Sequence, residues 1–201
     1  TTRPETGWGE GQDQAAFKPG YLKKWENLQD VEVVALSLWI ESHLPLAEVD
    51  ETARTVKFGR RSVFRLTNSH AAGDFSRYYV ENVKESLDAP CEWYLDRPTG
   101  KLYYVPMAGE TPETVQVVAP RLTQVMKISG ATDLVFKGVA FQHVDWQTPP
   151  EISGWNQASN GVPGAVVLEK AQRCRFEDCG VSHVSTYAVE LLDGCQENHL
   201  V

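Results

Sequence analysis

Positive charge, paired cysteines, long apolar runs and an export leader are all scarce or missing in this 201-residue chain. Lysine and arginine total 19 against 27 acidic residues, giving a formal net charge of −8 and a pI near 5.1. The few basic side chains are scattered, and an acidic chain without a basic patch excludes a nucleic-acid partner. No run of about eighteen apolar residues occurs, so no membrane partner is expected either. The chain opens on TTRPETGWGEGQDQ, with no initiator Met, basic n-region or apolar h-region, and closes on CQENHLV inside an apolar pattern. The expectation is a processed product or a piece of a longer protein. The cysteines Cys91, Cys174, Cys179 and Cys195 form no C-x-x-C pair, and the histidine spacing matches no zinc template. Neither a metal nor any other cofactor is therefore expected. Cys174 and Cys179 stand where a strand pattern wants apolar residues, which favours buried thiols over a disulfide and leaves the redox compartment open.

What the chain does contain is strand-like text, with length enough for one large or two small domains. Residues 1–20 are polar and glycine-rich and read as a loop or tail. From 21 to 106 short strands are expected at DVEVVALSLWI (30–40), TARTVKFG (52–59) and VFRLTN (63–68), with HAAGDF (70–75) as a glycine-bearing connection. In SRYYVENVKESLD (76–88), Tyr79, Val83 and Leu87 recur at i, i+4 and i+8, a spacing that predicts a short helix. CEWYLDRPTGKLYYVP (91–106) reads as a hairpin, with RPTG carrying the Pro and Gly that a type I turn prefers. Alternation assigns Trp93 and Leu95, with Leu102 and Tyr104 on the partner strand, to the core. A small antiparallel β domain, sandwich or barrel-like, is the expectation for 21–106.

After Pro106 the text repeats. At an offset of forty, LVFKGVAFQHV (134–144) meets CRFEDCGVSHV (174–184), pairing Phe136 with Phe176, Phe141 with Val181 and His143 with His183. At an offset of twenty-three, AVVLEKA (165–171) meets AVELLDG (188–194). Repeats of twenty-odd residues built from short strands predict the first rungs of a parallel β-helix over 107–201. The longer spacing is then one rung with an extra loop, DWQTPPEISGWNQASNG (145–161), lying outside the coil. Val166 and Leu168 should point inward, and Val189 and Leu191 repeat them, leaving Val167 and Glu190 outward. CQEN (195–198) reads as a turn whose Asn bonds local backbone. Open coil ends would allow self-association.

FKPGYLKKWENLQDVEVVALSLWIESHLPLAEVD (17–50), RYYVENVKESLDAPCEWYLDRPTGKLYYVP (77–106) and LVFKGVAFQHVDW (134–146) together resemble a group of bacterial right-handed parallel β-helix proteins. In that group a β domain is inserted near the start of the coil, and many members are glycoside hydrolases of fucosidase/xylanase-like and β-xylosidase-like type. The resemblance spans roughly residues 17–201. It implies a polysaccharide or oligosaccharide partner of plant or algal origin and a secreted or periplasmic location. Its motifs are specific for architecture rather than reaction, because such coils host hydrolases, lyases and inert members. One departure is Cys91, where the group carries Gly; at positive φ a cysteine would be strained.

The chemistry this implies is acid/base hydrolysis by two carboxyl groups, about 5–5.5 Å apart for retention and about 6.5–9.5 Å for inversion. Outward acids on neighbouring rungs, about 4.8 Å apart, would suit it. Glu190 is outward, but its lower neighbour is Val167, so it has no acidic partner there; Asp145 is the other candidate. Trp146, Trp155 and Tyr187 are candidate sugar platforms. His143 and His183 align as a pair suited to metal or proton chemistry, or else each closes a strand at a corner. Asp88, Glu92 and Asp96 scatter around the hairpin's turns. The complete carboxylate pair is expected beyond Val201, so that this chain alone is inactive. A non-catalytic glycan-binding or structural module is the alternative. A polysaccharide lyase ranks third, since no acidic cluster with Lys or Arg on adjacent rungs is evident.

Overall fold

The computed structural model describes residues 11–67, 75–155 and 157–201. The first half of the 1–20 segment, and HAAGDF apart from Phe75, thus lie outside the described residues. The chain forms two compact units, Thr1–Val115 with Thr148–Asn160, and Gln116–Gln147 with Gly161–Val201. Among the described residues both are built from β-strands and short 3₁₀ turns, with no α-helix.

The first unit is a five-stranded antiparallel sheet in the order β1-β4-β3-β2-β5, made by β1 (Gln14–Ala16), β2 (Glu32–Ser37), β3 (Ile40–Asp50), β4 (Thr55–Phe58) and β5 (Arg77–Glu81). Alternate side chains of one face, among them Val33, Ala35, Leu44, Leu46, Val56 and Phe58, form its core with Tyr78 and Val80. Strand β3 changes partner along its length. It pairs with β2 from Ile40 to Pro45 and with β4 from Leu46 to Asp50, with a register shift between Leu46 and Glu48. Such a shift bends a strand and lets the sheet curl.

The structure departs from several sequence expectations. Residues 30–40 are not one strand, because Leu38 adopts φ +55 and Leu38–Trp39 turn the chain back into β3. No helix forms over 76–88: Tyr78 and Val80 alternate into the core as β5 pairs with β2, and that burial outweighs the helical spacing. The chain leaves β5 at Asn82, with φ +60, and Lys84–Ser86 makes only a 3₁₀ turn. The described part of VFRLTN, residues 63–67, is not a strand; its Leu66 N–H donates to the Gln12 side-chain oxygen (2.8 Å), and Thr67 makes a single bridge to Phe75. Residues 14–16 belong to the sheet rather than to a tail. The segment 148–160, expected as a loop of the coil, belongs to the first unit: Ser153 O accepts from His43 N, and Ile152 O from Arg60 (2.9 Å).

The hairpin forms as β6 (Trp93–Asp96) and β7 (Lys101–Tyr104), closed by a Gly100 N–H bond to Asp96 O (2.7 Å). Its faces are reversed from the expectation. Tyr94 is the buried residue, and its hydroxyl accepts from Asn27 Nδ2 at 2.8 Å, while Lys84 lies 4.6 Å above the Tyr103 ring. Trp93, Leu95 and Leu102 are exposed and Tyr104 only partly covered. A tyrosine on the inner face supplies both apolar surface and a polar handle, which Trp93 and Leu95 lack there. Cys91 has φ +73, so it sits in the left-handed region that glycine occupies without strain. Replacing Cys91 by Gly should raise stability by up to about 1 kcal/mol, the relief of left-handed strain less the added unfolded-state entropy. Urea denaturation reads this, and a lower midpoint for the variant would refute it.

The second unit is made of successive passes of the chain. The first contributes β8 (Met126–Ser129), β9 (Val135–Lys137) and β10 (Ala140–Val144). The second contributes β11 (Val166–Glu169), β12 (Arg175–Glu177) and β13 (Gly180–Val184), and a third β14 (Val189–Leu191) and β15 (His199–Leu200). They pair in parallel as β14-β11-β8, β15-β12-β9 and β10-β13. Met126, Phe136 and Phe141 meet Val166, Phe176 and Val181, all at the offset of forty expected from the repeats. Val166 meets Val189 at twenty-three, but Phe176 meets Leu200 at twenty-four, so one residue is inserted between β14 and β15.

Ile128, Val166, Leu168, Phe141 and Phe176 fill the interior, with Phe136 and Phe176 stacked 4.9 Å apart. All four cysteines are free thiols; Cys174 is buried, and the Cys195 sulfur lies 3.3 Å from Leu168 O. Asn198 binds the preceding pass, accepting from Cys174 N (3.0 Å) and donating to Ala171 O (2.9 Å). Val167, expected to face solvent, is buried, flanked in register by the long side chains of Lys127 and Glu190. Leu191 is half exposed because β14 ends its sheet. Left-handed residues recur at matching corners: Gly130, Lys170 and Gly194; Asp133, Arg173 and Glu197; Gly138 and Asp178; His143 and His183. Phe176→Ala should cost about 3–5 kcal/mol by removing the ring that Phe136 and Phe141 pack on. Equilibrium unfolding measures it; a loss below 1 kcal/mol would contradict this packing.

Candidate functional site

The second unit gathers several expected site residues near the corner between β13 and β14. Asp145 and Trp146 follow β10, and Ser185 and Tyr187 lie in the connection after β13. Trp146 N–H donates to Ser185 Oγ (2.6 Å), whose hydroxyl donates to Val144 O (3.2 Å). The Asp145 carboxylate accepts from Gln147 Nε2 at 3.0 Å. Tyr187 O accepts from Ala165 N (2.7 Å), which holds the half-exposed phenol beside the start of β11. Glu190 reaches back to accept from Gly164 N (2.9 Å). Its column in the sheet reads Lys127, Val167, Glu190, so the positions in register with it hold no second carboxylate.

His143 and His183 stack with ring centroids 5.0 Å apart. Both have positive φ, which interrupts the β10–β13 ladder at that point. Of the two outcomes expected, their backbone is at a corner, but His183 Nδ1 contacts Ser182 Oγ (3.2 Å) rather than backbone. Trp155 belongs to the first unit, where its indole N–H donates to Asn160 O (2.6 Å).

The densest set of titratable groups lies in the first unit and escaped the sequence reading. In the order β3-β2-β5, Glu32 stands opposite Pro45 and Glu81, and Val34 opposite His43 and Tyr79. Strand alternation puts Glu32, His43, Glu41, Tyr79 and Glu81 on the face opposite the core, over the fully buried Val34. His43 Nδ1 lies 3.2 Å from Glu32 Oε2 and 3.9 Å from Glu81 Oε1, and Nε2 lies 3.0 Å from Glu41 Oε1. Glu32, His43 and Glu81 each offer a ligand atom, all within 4.8 Å of one another.

The charges interact as this geometry requires. The hydrogen bond to Glu32 is the main cause raising His43 to about 9, aided by Glu41 and opposed by burial. The same hydrogen bond lowers Glu32 below the usual carboxylate range. Glu81 is raised, first by burial and further by Glu32 and Glu41, although His43 opposes the shift. Three carboxylates thus surround one imidazole, and negative charge is in excess.

With His43 raised, its contribution is full below about pH 6.5 and is lost as pH rises through about 9. With Glu32 lowered, its contribution is present above about pH 4.5 and lost as pH falls. In chelator-treated protein, thermal stability should therefore decline between about pH 6.5 and 9, and His43→Gln should flatten that decline. Calorimetry across the range tests this; identical slopes for both proteins would exclude a charged His43.

No family model matches the chain. A search of curated proteins likewise finds no match. A solved structure titled "Glycoside hydrolase" is similar in fold, with a TM-score of 0.63 at 19% identity over 78% of this chain. The match takes in 34% of that protein, so this chain spans about a third of its length. The likeness is one of fold: all-β, with an antiparallel sheet and parallel sheets. Among the described residues no helix is long and apolar enough to cross a membrane.

Proposed function

We propose that the second unit is the start of a right-handed parallel β-helix and that the whole protein is a carbohydrate-active enzyme. Its reaction is hydrolysis of a plant or algal polysaccharide by paired carboxyl groups, carried out in a secreted or periplasmic setting. The observation that carries this reading is the in-register parallel stacking of Met126, Val166 and Val189, and of Phe136, Phe176 and Leu200. A fold shared with a glycoside hydrolase supports the same class. The residues assigned to the glycan are Trp146 and Tyr187, with Asp145 and Glu190 beside them at the β13–β14 corner. His143 and His183 border that corner.

A second reading, a glycan-binding module without turnover, is favoured by one feature. Glu190 is held by Gly164 N–H and has Val167 and Lys127 as its register neighbours, so no carboxylate pair forms in that column. On either reading the 201-residue chain should bind polysaccharide without hydrolysing aryl glycosides. Affinity electrophoresis in gels containing plant or algal polysaccharide should retard the chain, and Trp146→Ala should weaken the retardation about tenfold, within the range of one stacking contact. Absence of retardation by every polysaccharide would refute the carbohydrate reading. Release of reducing ends by a longer form of the protein separates the hydrolase from the module.

A further inference from the structure

We propose that Glu32, His43 and Glu81 form a binding site for one divalent transition-metal ion, zinc being the ion the donor set suits best. The site lies on the antiparallel sheet and does not depend on the glycan reading. One imidazole nitrogen and two carboxylate oxygens are donors for zinc and its first-row neighbours. Calcium and magnesium take oxygen alone.

The distances fit a small ion. A tetrahedral zinc with bonds of about 2.0–2.1 Å sets its donors roughly 3.4 Å apart. Nδ1 of His43 already lies 3.2 Å from Glu32 and 3.9 Å from Glu81, so rotation of the two carboxylates closes the set. The ion takes the place of the Nδ1 proton, which leaves to solvent, and a water fills the fourth position.

Two further features favour coordination over a plain ion pair. Nε2 of His43 faces Glu41 at 3.0 Å, the outer carboxylate that fixes a ligating imidazole's tautomer and ring plane. The ligands also come from three adjacent strands over the buried Val34, so a rigid sheet rather than a loop sets their spacing. Arg60 and Arg97 favour the charged form of Glu32 from a distance, but their own bonds go to Ile152 O and Asp30. Three carboxylates against one imidazole leave an excess of negative charge that a divalent ion balances.

The test is calorimetric titration of the chelator-treated 201-residue chain, prepared without a polyhistidine tag, with zinc chloride. One equivalent should bind. His43→Gln and Glu81→Gln should each weaken binding at least tenfold, Glu41→Gln should weaken it by about 10–100-fold as an outer-shell loss, and the distant Glu113→Gln should leave it unchanged. Circular dichroism checks that the variants fold. Should a variant not fold, ¹⁵N spectra of the wild-type imidazoles decide: one equivalent of zinc should shift the ring nitrogens of His43. Failure to bind zinc, undiminished binding by His43→Gln, or zinc shifts confined to other histidines would overturn the site. None of these outcomes bears on glycan retardation, so the two proposals stand or fall separately.

Discussion

Each pass of the second unit must turn where the neighbouring pass turned. Parallel strands gain their hydrogen bonds and their shared interior only in register, so one corner out of place would displace every inward side chain beyond it. The corners are therefore held by conformation rather than by a particular side chain. Glycine, lysine, aspartate, arginine, glutamate and histidine all occupy left-handed corner positions here. Each non-glycine corner opposes folding by about 1–2 kcal/mol, and the buried Phe136–Phe176 stack and its aliphatic neighbours offset that strain. The inserted residue between β14 and β15 obeys the same rule, because the turn between Leu191 and Gln196 takes it up before Phe176 meets Leu200.

The first unit rests on a different device. One long strand, β3, serves two partners by bending after Pro45, and this curls the five-stranded sheet around a common core. The same strand carries Glu41 and His43 on its outer face. Pairing with β2 and β5 then brings Glu32 and Glu81 to the ring from both sequence directions. An apolar inner face keeps this arrangement stiff, so the charged outer face can hold like charges close together.

The parallel stacking was legible because inward residues recur at a fixed offset: Phe136 and Phe176 have the same identity and the same place. The hairpin was legible from its turn, but not its faces. Alternation says only that Tyr94 opposes Trp93, and Asn27, which bonds the Tyr94 hydroxyl, is remote in sequence. Strand β3 was hidden by Pro45 and by its charged residues, and β5 by an accidental helical spacing of Tyr79, Val83 and Leu87. Reading 76–88 as helix removed Glu81 from any sheet, so the cluster around His43 was out of reach. One signal was available: Glu41 and His43 are two apart, which on a strand puts both on one face. Glu190 and Trp146 were candidates by position alone, and their bonds to Gly164 and Ser185 join stretches that no local pattern connects.

The return of residues 148–160 to the first unit has a consequence for how the protein is made. Ser153 and Ile152 bind His43 and Arg60, far earlier in the chain. During synthesis the first unit must wait for this strap until the whole of the first pass, through β10, has been translated. Over that interval the edge of β3 near His43 stands without its backbone partner, open to any extended chain nearby. Birth order and spatial order thus disagree. Severing the chain after residue 115 would not separate the two units, because it strips residues 148–160 from the first and leaves it permanently in its half-made state.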